Sequence, residues 1–409
     1  MSLDGRTILA LVFLAACRDA SPSLHGVGDA SSSSRRSPLS QIELRTTDGA
    51  IALGNLQGQI DGEERLAAAR PLTLKQRAGI ADLVAMRGQF LGRIADYERA
   101  AALADDIVRD APTDGASFLA RARARSIFHR FAEALDDLAE AERLGLRSNR
   151  IESTRAAIFQ ATGRYDEALA LRENAARLRP DIDSLGAEAS VRADRGEVDE
   201  AERLFGDAPH HYRDVAPFPV VWLYFHQGQM WMREGKLVRA RALFEAAHER
   251  FPAYAAAQGH LAEVEAALGN TTRAIELLRP LAQTSDDPDY AGQLARILAD
   301  TGQSEEAATW REAAARRYDE LMVGHPEAFA DHAAEFWLAA GADSKKALGF
   351  AQRNLTVRAT PRAYELLLQA ALVCDEPTVA CDAAAHTRGL AHVWPSLAAT
   401  MGRAAGFCG

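Results

Sequence analysis

Apolar residues are arranged along this chain in two ways. Near the N-terminus they form one short unbroken run, TILALVFLAAC, from Thr7 to Cys17. From Pro71 onward small and apolar positions instead recur at fixed spacing among polar residues and turn signals. The stretch TGRYDEALAL, Thr162 to Leu171, shows the unit: a turn with glycine, an aromatic two residues on, and an alanine three after that. It predicts the middle of a helix-turn-helix pair. The same alanine recurs at Ala100, Ala134, Ala168, Ala201, Ala240, Ala274, Ala307, Ala347 and Ala380, at intervals of 34, 34, 33, 39, 34, 33, 40 and 33.

Other positions test that register. Twelve residues before each alanine the two helices must touch, so a small side chain is required. The chain supplies Gly88, Ala122, Ala156, Ala189, Gly228, Ala262 and Ala295, then Ala334 after one extra loop residue; the last unit departs with Leu368. Turn glycines stand at Gly163, Gly196, Gly235, Gly269, Gly302 and Gly341, and Pro112, Pro180 and Pro252 stop second helices. The pattern resembles the tetratricopeptide repeat, whose period is 34. That resemblance implies an all-α fold: a right-handed α-α superhelix of about nine helix-turn-helix repeats over residues 71–394, with first helices lining the concave face. Each pair buries its apolar face only against its neighbours. Residues 395–409 then read as a C-terminal capping helix, and residues 42–70 as a possible N-terminal helix. The two long intervals predict bends or protrusions near DAPHHYRDVAPFP and RYDELMVGHPEAF.

Composition narrows the setting. Hydrophobic residues make up 48% and charged residues 25% of 409, as in an ordinary folded protein. A formal net charge of -10 argues against nucleic acid, since phosphate binding needs clustered Lys and Arg. The N-terminal run is too short to span a bilayer. With Arg6 before it and small residues at its exit, it reads as an export signal over residues 1–16. Leu14-Ala15-Ala16-Cys17 resembles the bacterial lipobox, which implies cleavage before Cys17 and lipidation of its thiol. Residues 17–41, rich in Ser, Gly and Pro, read as a flexible tether. The expectation is a lipid-anchored envelope protein, on the outer membrane facing the periplasm, with Arg18 after the cysteine favouring that membrane.

Candidate chemistry follows from the register. With the small contact residue as position 8, the family's groove-facing positions are 2, 5, 6, 9, 12 and 13. Position 6 in four successive units is His226, His260, Gln293 and His332; position 9 is Gln229, Glu263, Arg296 and Glu335. Asp331 at position 5 joins them, so the run DHAAEFW directs its polar group to the groove. H-x-x-E occurs twice, and an i,i+3 pair shares one helix face. His260, Glu263, His332 and Glu335 are therefore candidates to hold a metal, although a polar, peptide-binding groove is the principal reading. Trp222 and Phe225 fall on groove positions 2 and 5 and are candidate recognition anchors; the alternative is that the connection before them folds over and covers them. The family's Lys, Asn and Arg clamp for a carboxylate terminus is not reproduced. The sequence contains no phosphate-binding glycine loop, no H-E-x-x-H and no nucleophile elbow.

Three cysteines lie in the last repeat and its cap, and export permits a disulfide. Cys374 and Cys381 would bridge the turn in CDEPTVAC, with Cys408 as the alternative partner. The expected function is a non-enzymatic adaptor without cofactor that holds a protein or peptide. A periplasmic small-ligand or metal-binding protein using the His and Glu groove residues is the alternative.

Overall fold

The computed structural model describes residues 44–408. The expected export signal (1–16), Cys17 and the tether (17–41) lie outside the described residues. All the regular elements described are helical. α1 spans Gly49–Ala69, and nine pairs follow: α2 (Leu74–Leu91) with α3 (Ile94–Asp110), α4 (Gly115–Ile127) with α5 (Phe131–Arg143), and α6 (Asn149–Ala161) with α7 (Tyr165–Leu178). Next come α8 (Ile182–Asp194) with α9 (Val198–Asp207), α10 (Phe218–Arg233) with α11 (Leu237–Arg250), and α12 (Ala255–Ala267) with α13 (Thr271–Thr284). The last three are α14 (Pro288–Asp300) with α15 (Ser304–Gly324), α16 (Pro326–Leu338) with α17 (Ser344–Val357), and α18 (Pro361–Val373) with α19 (Pro377–Thr387). α20 (Pro395–Ala405) packs on α18 and α19. None of these helices is long and apolar enough to cross a membrane.

The register read from the sequence is the register of packing. All nine recurring alanines are between 0% and 6% exposed. The small residue twelve before them is a steric demand. A Cβ on Gly228 would sit 2.6 Å from the Phe244 ring of the paired helix, and one on Gly88 would sit 2.9 Å from the Arg93 carbonyl oxygen. Several first helices start on side-chain caps: Thr73 in a capping box with Gln76, Asp114 on Ala116, Ser148 on Arg150 and Thr360 on Ala363; α10, α12 and α16 do not. Second helices such as α3, α5 and α7 have no cap of their own.

Three local expectations are corrected. The 40-residue interval is not a loop. α15 runs 21 residues to Gly324, because no glycine or proline interrupts SEEAATWREAAARRYDELMV. The 39-residue interval contains a 3-10 turn, Ala208–His211, whose continuation packs inward: Tyr212 is buried, and the Val215 carbonyl accepts a 2.7 Å hydrogen bond from the Thr47 amide. In the eighth repeat the left-handed residue of the turn is Ala342, at φ 53°, not Gly341.

The array also closes upon itself, which no single repeat foretells. The Gly49 end of α1 meets Arg250 and Phe251, which close repeat 5. The turn of repeat 1 meets the connection after repeat 6: the Asp286 carboxylate accepts hydrogen bonds from Ile94 (2.6 Å) and Ala95 (2.9 Å), capping α3 from outside its own repeat. The turn of repeat 2 meets the connection after repeat 7, where Phe128 stacks on His325 and the His129 imidazole lies 3.1 Å from the Glu327 carbonyl. The turn of repeat 3 meets the connection after repeat 8, where Arg358 donates to the Ala161 carbonyl at 3.2 Å. There Gly163, at φ 82°, lies so close that a Cβ would stand 2.7 Å from the Ala359 oxygen. The turn of repeat 4 meets the connection after repeat 9, His392, which also contacts Glu234 of repeat 5 at 2.8 Å. The offset is five repeats each time. Successive coils of the superhelix therefore touch along a continuous seam.

α10 shows what closure does to the interior. FPVVWLYFHQGQMWMR is mostly apolar, and all of its residues but Gln229 and Arg233 are buried, as in a helix surrounded by protein. Phe218 stacks on Phe90 of α2 at 4.7 Å, and Phe90 in turn meets Phe251 and Tyr254 edge-on. At the far end Cys381 is bonded to Cys408, tying α19 to the residues after α20, and Cys374 is free. The Cys374–Cys381 bridge does not form: Cys374 closes α18 as its C-cap, while Cys381 sits inside α19 toward the terminal segment.

Candidate functional site

Two cavities are walled mainly by first helices. One, of about 1580 Å³, lies among α2, α4, α6, α7 and α8; the other, of about 920 Å³, lies among α12, α14, α15, α16 and α18. The second brings together six of the residues chosen from the sequence: His260, Glu263, Gln293, Arg296, His332 and Glu335. They come from three successive first helices at positions 6 and 9, so the register alone assembles them.

Their partners differ. His260 stands 3.5 Å from Glu263 one turn along α12, and its ring lies against Phe225 and Phe244. Gln293 donates at 2.7 Å to the Asp289 carboxylate, and its own Oε1 is buried with no hydrogen-bond partner. Arg296 is 3.8 Å from Asp300 at the rim. Glu335 pairs with Arg362, which also reaches Glu365 at 3.1 Å. Burial pushes the Glu335 carboxyl up, with Asp331 and Asp289 adding to it, to about 8 despite the opposing charges of Arg362 and His332. Burial works against the His332 imidazolium, yet Asp331, Asp289, Glu335 and Asp287 outweigh it and raise its pKa above the ordinary histidine value. His332 Nδ1 is buried without a partner.

The remaining sequence candidates do not line this cavity. Asp331 is buried and turned toward the seam, where it accepts from Arg358 at 2.8 Å. Burial pushes its carboxyl up, but the charges of His332, Arg358 and His129 win and hold it below the usual value. Trp222, Phe225 and His226 are 2%, 3% and 7% exposed, so they are not open anchors. Trp222 packs over Gly186 of α8 and against His226, with its ring at the edge of the other cavity. Phe225 sits among Phe244, Tyr254 and His260. Burial, with His260 nearby, lowers the pKa of His226 to about 3. Gln229 lines neither cavity, and its Nε2 is buried without a partner. The residues that cover them belong to α8, α11 and the start of α12. The metal candidates are also separated in role: His260 pairs with Glu263, while Glu335 pairs with Arg362. Among the described residues no group of three or more His, Cys, Asp or Glu side chains is placed to hold a metal ion.

Several wall residues were not chosen from the sequence. Asp289 and Arg362 hold position 2, and Gln369 position 9, of their repeats, so the same numbering would have found them. Tyr318, contributed by the extension of α15, had no such signal. It is 1% exposed, its ring rests on Phe336, and its hydroxyl is buried without a hydrogen-bond partner. In the larger cavity Arg123, Arg150 and Arg172 share a wall, with Asp82 paired to Arg123 and Ser153 3.0 Å from Arg172.

The fold has relatives. Residues 232–297 match the tetratricopeptide repeat family profile. Among solved structures, a human IFIT1 dimer with PPP-AAAA is similar at a TM-score of 0.46 and 17% identity, over 82% of this chain and 79% of that one. The APC/C hetero-tetramer Cut9–Hcn1 is similar at 0.44 and 13%, over 81% and 67%. No curated protein sequence matched.

Proposed function

We propose that this tetratricopeptide-repeat chain is a non-enzymatic adaptor of the cell envelope, which holds a segment of a partner protein in the cavity between α12 and α18. Repeat arrays of this kind serve as protein-interaction scaffolds. One observation carries the choice of site: His260, Glu263, Gln293, Arg296, His332 and Glu335, all at groove positions, line one cavity of about 920 Å³. Polar groups converging in a largely preformed hollow are the ordinary signature of a binding site. The volume also suits a small polar ligand, which is the second reading. The net charge of -10 favours a protein partner over nucleic acid.

The envelope setting draws support from the apolar run before Cys17 and from the Cys381–Cys408 disulfide, a bond that persists in oxidising compartments. In this reading Cys17 carries the lipid anchor and the tether presents the superhelix to the periplasm. The test is site-specific photocrosslinking in living cells, with the probe at Arg296 or Gln369 on the cavity wall and, for comparison, at Leu178 or Val323, exposed hydrophobics outside that cavity. A defined adduct from the wall positions alone is expected. Equal adducts from both sets would refute the site. Cys17→Ser should move the protein out of the membrane fraction, and unchanged fractionation would refute the anchor.

A further inference from the structure

We infer that the cavity among α2, α4, α6 and α8 is a second binding site, for a small carboxylic acid with an apolar body, held by Arg150 and Ser153. It is separate from the site proposed above and does not depend on it. The two cavities share no lining residue. They occupy equivalent places on successive coils, since α2, α4, α6 and α8 stand five repeats before α12, α14, α16 and α18.

The starting point is a cation that the fold leaves unanswered. Arg150 is the second residue of α6, and its guanidinium makes no hydrogen bond and no ion pair among the described residues. Its surroundings work against it. A positive charge at a helix start meets the positive end of the helix dipole. Burial, followed by the charge of Arg123, lowers its pKa, and Asp82 alone pulls the other way. Asp82 is already the ion-pair partner of Arg123. A guanidinium stays charged at neutral pH even so. None of its nitrogens is closed to solvent, so the charge is open to the cavity that it lines. A second donor stands one turn along. Ser153 follows Arg150 by three residues on the same face of α6 and lines the same cavity. Its oxygen accepts from Arg172 at 3.0 Å, and its own O–H has no acceptor among the described residues. The Arg150 N–H groups and the Ser153 O–H suit the two oxygens of one carboxylate.

The other acids on the wall are engaged elsewhere or weakly charged. Asp114 caps α4, Asp181 pairs with Arg179 at 2.9 Å, and Glu63 accepts from Gln76 at 3.3 Å. Burial, with Asp181 beside it, raises the Asp183 carboxyl to about 7, which roughly halves its charge at neutral pH. Glu152, two residues beyond Arg150, does not share its helix face. One unanswered positive charge balances one negative charge. A phosphate monoester would bring nearly two, close to Asp82. Leu119, Ala156 and Leu171 line the same cavity and give the body of the acid apolar neighbours. The donors are gathered in a single turn of α6, which suits a molecule with one acidic head more than a long segment of chain.

The test is a ligand-observed NMR titration of the purified chain with hexanoate, hexanamide, hexyl phosphate and acetyl-Leu-Glu-Leu-amide. Hexanoate should bind on the order of tenfold tighter than its neutral amide. Arg150→Gln should abolish that preference. Arg143→Gln, which alters an exposed ion pair with Glu140 outside the cavity, should leave it intact. Because Arg150 has no partner to lose, its replacement should leave the urea midpoint level or raise it. A clear fall would show that the charge is already answered within the fold and would overturn the inference. Equal binding of hexanoate and hexanamide, no binding of hexanoate, or a preference that survives Arg150→Gln would overturn it too. So would hexyl phosphate binding as tightly as hexanoate, which would make this a phosphate site, or tighter binding of acetyl-Leu-Glu-Leu-amide, which would assign the cavity to a peptide.

Discussion

Replacing Asp286 with alanine tests the closed superhelix directly. In the native chain this carboxylate accepts from the Ile94 and Ala95 amides at 2.6 and 2.9 Å, although it lies more than 190 residues away in sequence. Those amides open α3, whose own N-cap residue, Arg93, offers no side-chain hydrogen bond. Loss of an N-cap costs roughly 0.5–2 kcal/mol, and a negative charge at a helix start adds roughly 0.3–1. Because the Asp286 side chain is about one-third exposed (34%), the lower half of each range applies. The expected loss is about 1–1.5 kcal/mol, which corresponds to roughly tenfold faster exchange at the two amides. Asp286→Asn retains one acceptor oxygen and should fall about halfway. Hydrogen exchange resolved to single residues is the assay, with urea unfolding for the global value. The seam predicts a second, distant effect: amides at the start of α14 should lose protection too. Asp114→Ala is the control, since Asp114 caps its own helix at 2.8 Å and its loss should stay local. If Ile94 and Ala95 exchange as in the parent, or α14 is unaffected, the coils do not bear on each other and the reasoning fails.

Three further outcomes are expected. Gly269→Ala should cost only the left-handed backbone term, about 1–2 kcal/mol, since nothing lies within 4 Å of its Cβ position, while Gly163→Ala should cost at least about 1 kcal/mol more because its Cβ would press on the Ala359 oxygen; equal midpoint shifts in urea would contradict this. His226 is held neutral, its pKa lowered from 6.5 to about 3 by burial and by His260, so its stability contribution is complete above pH 6.5 and is lost as pH falls toward 3. His226→Phe should therefore improve relative to the parent by about 2 kcal/mol between pH 7 and pH 5, and a pH-independent difference would refute it. Cys408→Ser opens a bridge across 27 residues worth at most about 3.5 kcal/mol on chain entropy. Faster exchange is expected in α19 and α20 and none in α2–α5, whereas unchanged α20 amides would show that the bridge does not hold the cap.

What the sequence reveals here is whatever one repeat decides by itself. Ala168 and its eight equivalents declare the phase because each must fit against its paired helix, and the same phase brings His260, Gln293 and His332 to one wall. Trp222 and Phe225 also obey the phase, but the hollow they should face is filled. The long apolar run that opens α10, Phe218 to Phe225, carries that information, since its first two turns have no polar side to face solvent. Asp331 shares a five-residue run with Glu335 yet serves the seam, because Arg358, at the end of the paired helix of the same repeat, meets it there. Tyr318 was invisible because it enters the wall from a helix longer than the repeat requires. The offset of five repeats is set by small rotations summed over many pairs, and no local pattern encodes such a sum.

That offset restricts how the gene can change length. Most repeat arrays gain or lose units in the middle by duplication, since each unit knows only its neighbours. Here an inserted unit between repeats 3 and 6 would move every later connection one place along. Asp286 would arrive beneath the wrong turn, and Arg358 would no longer find Ala161. Duplication is tolerable only outside the paired stretch, beyond α20 or ahead of α1. Relatives of this chain should therefore differ in their tails while keeping an invariant count within.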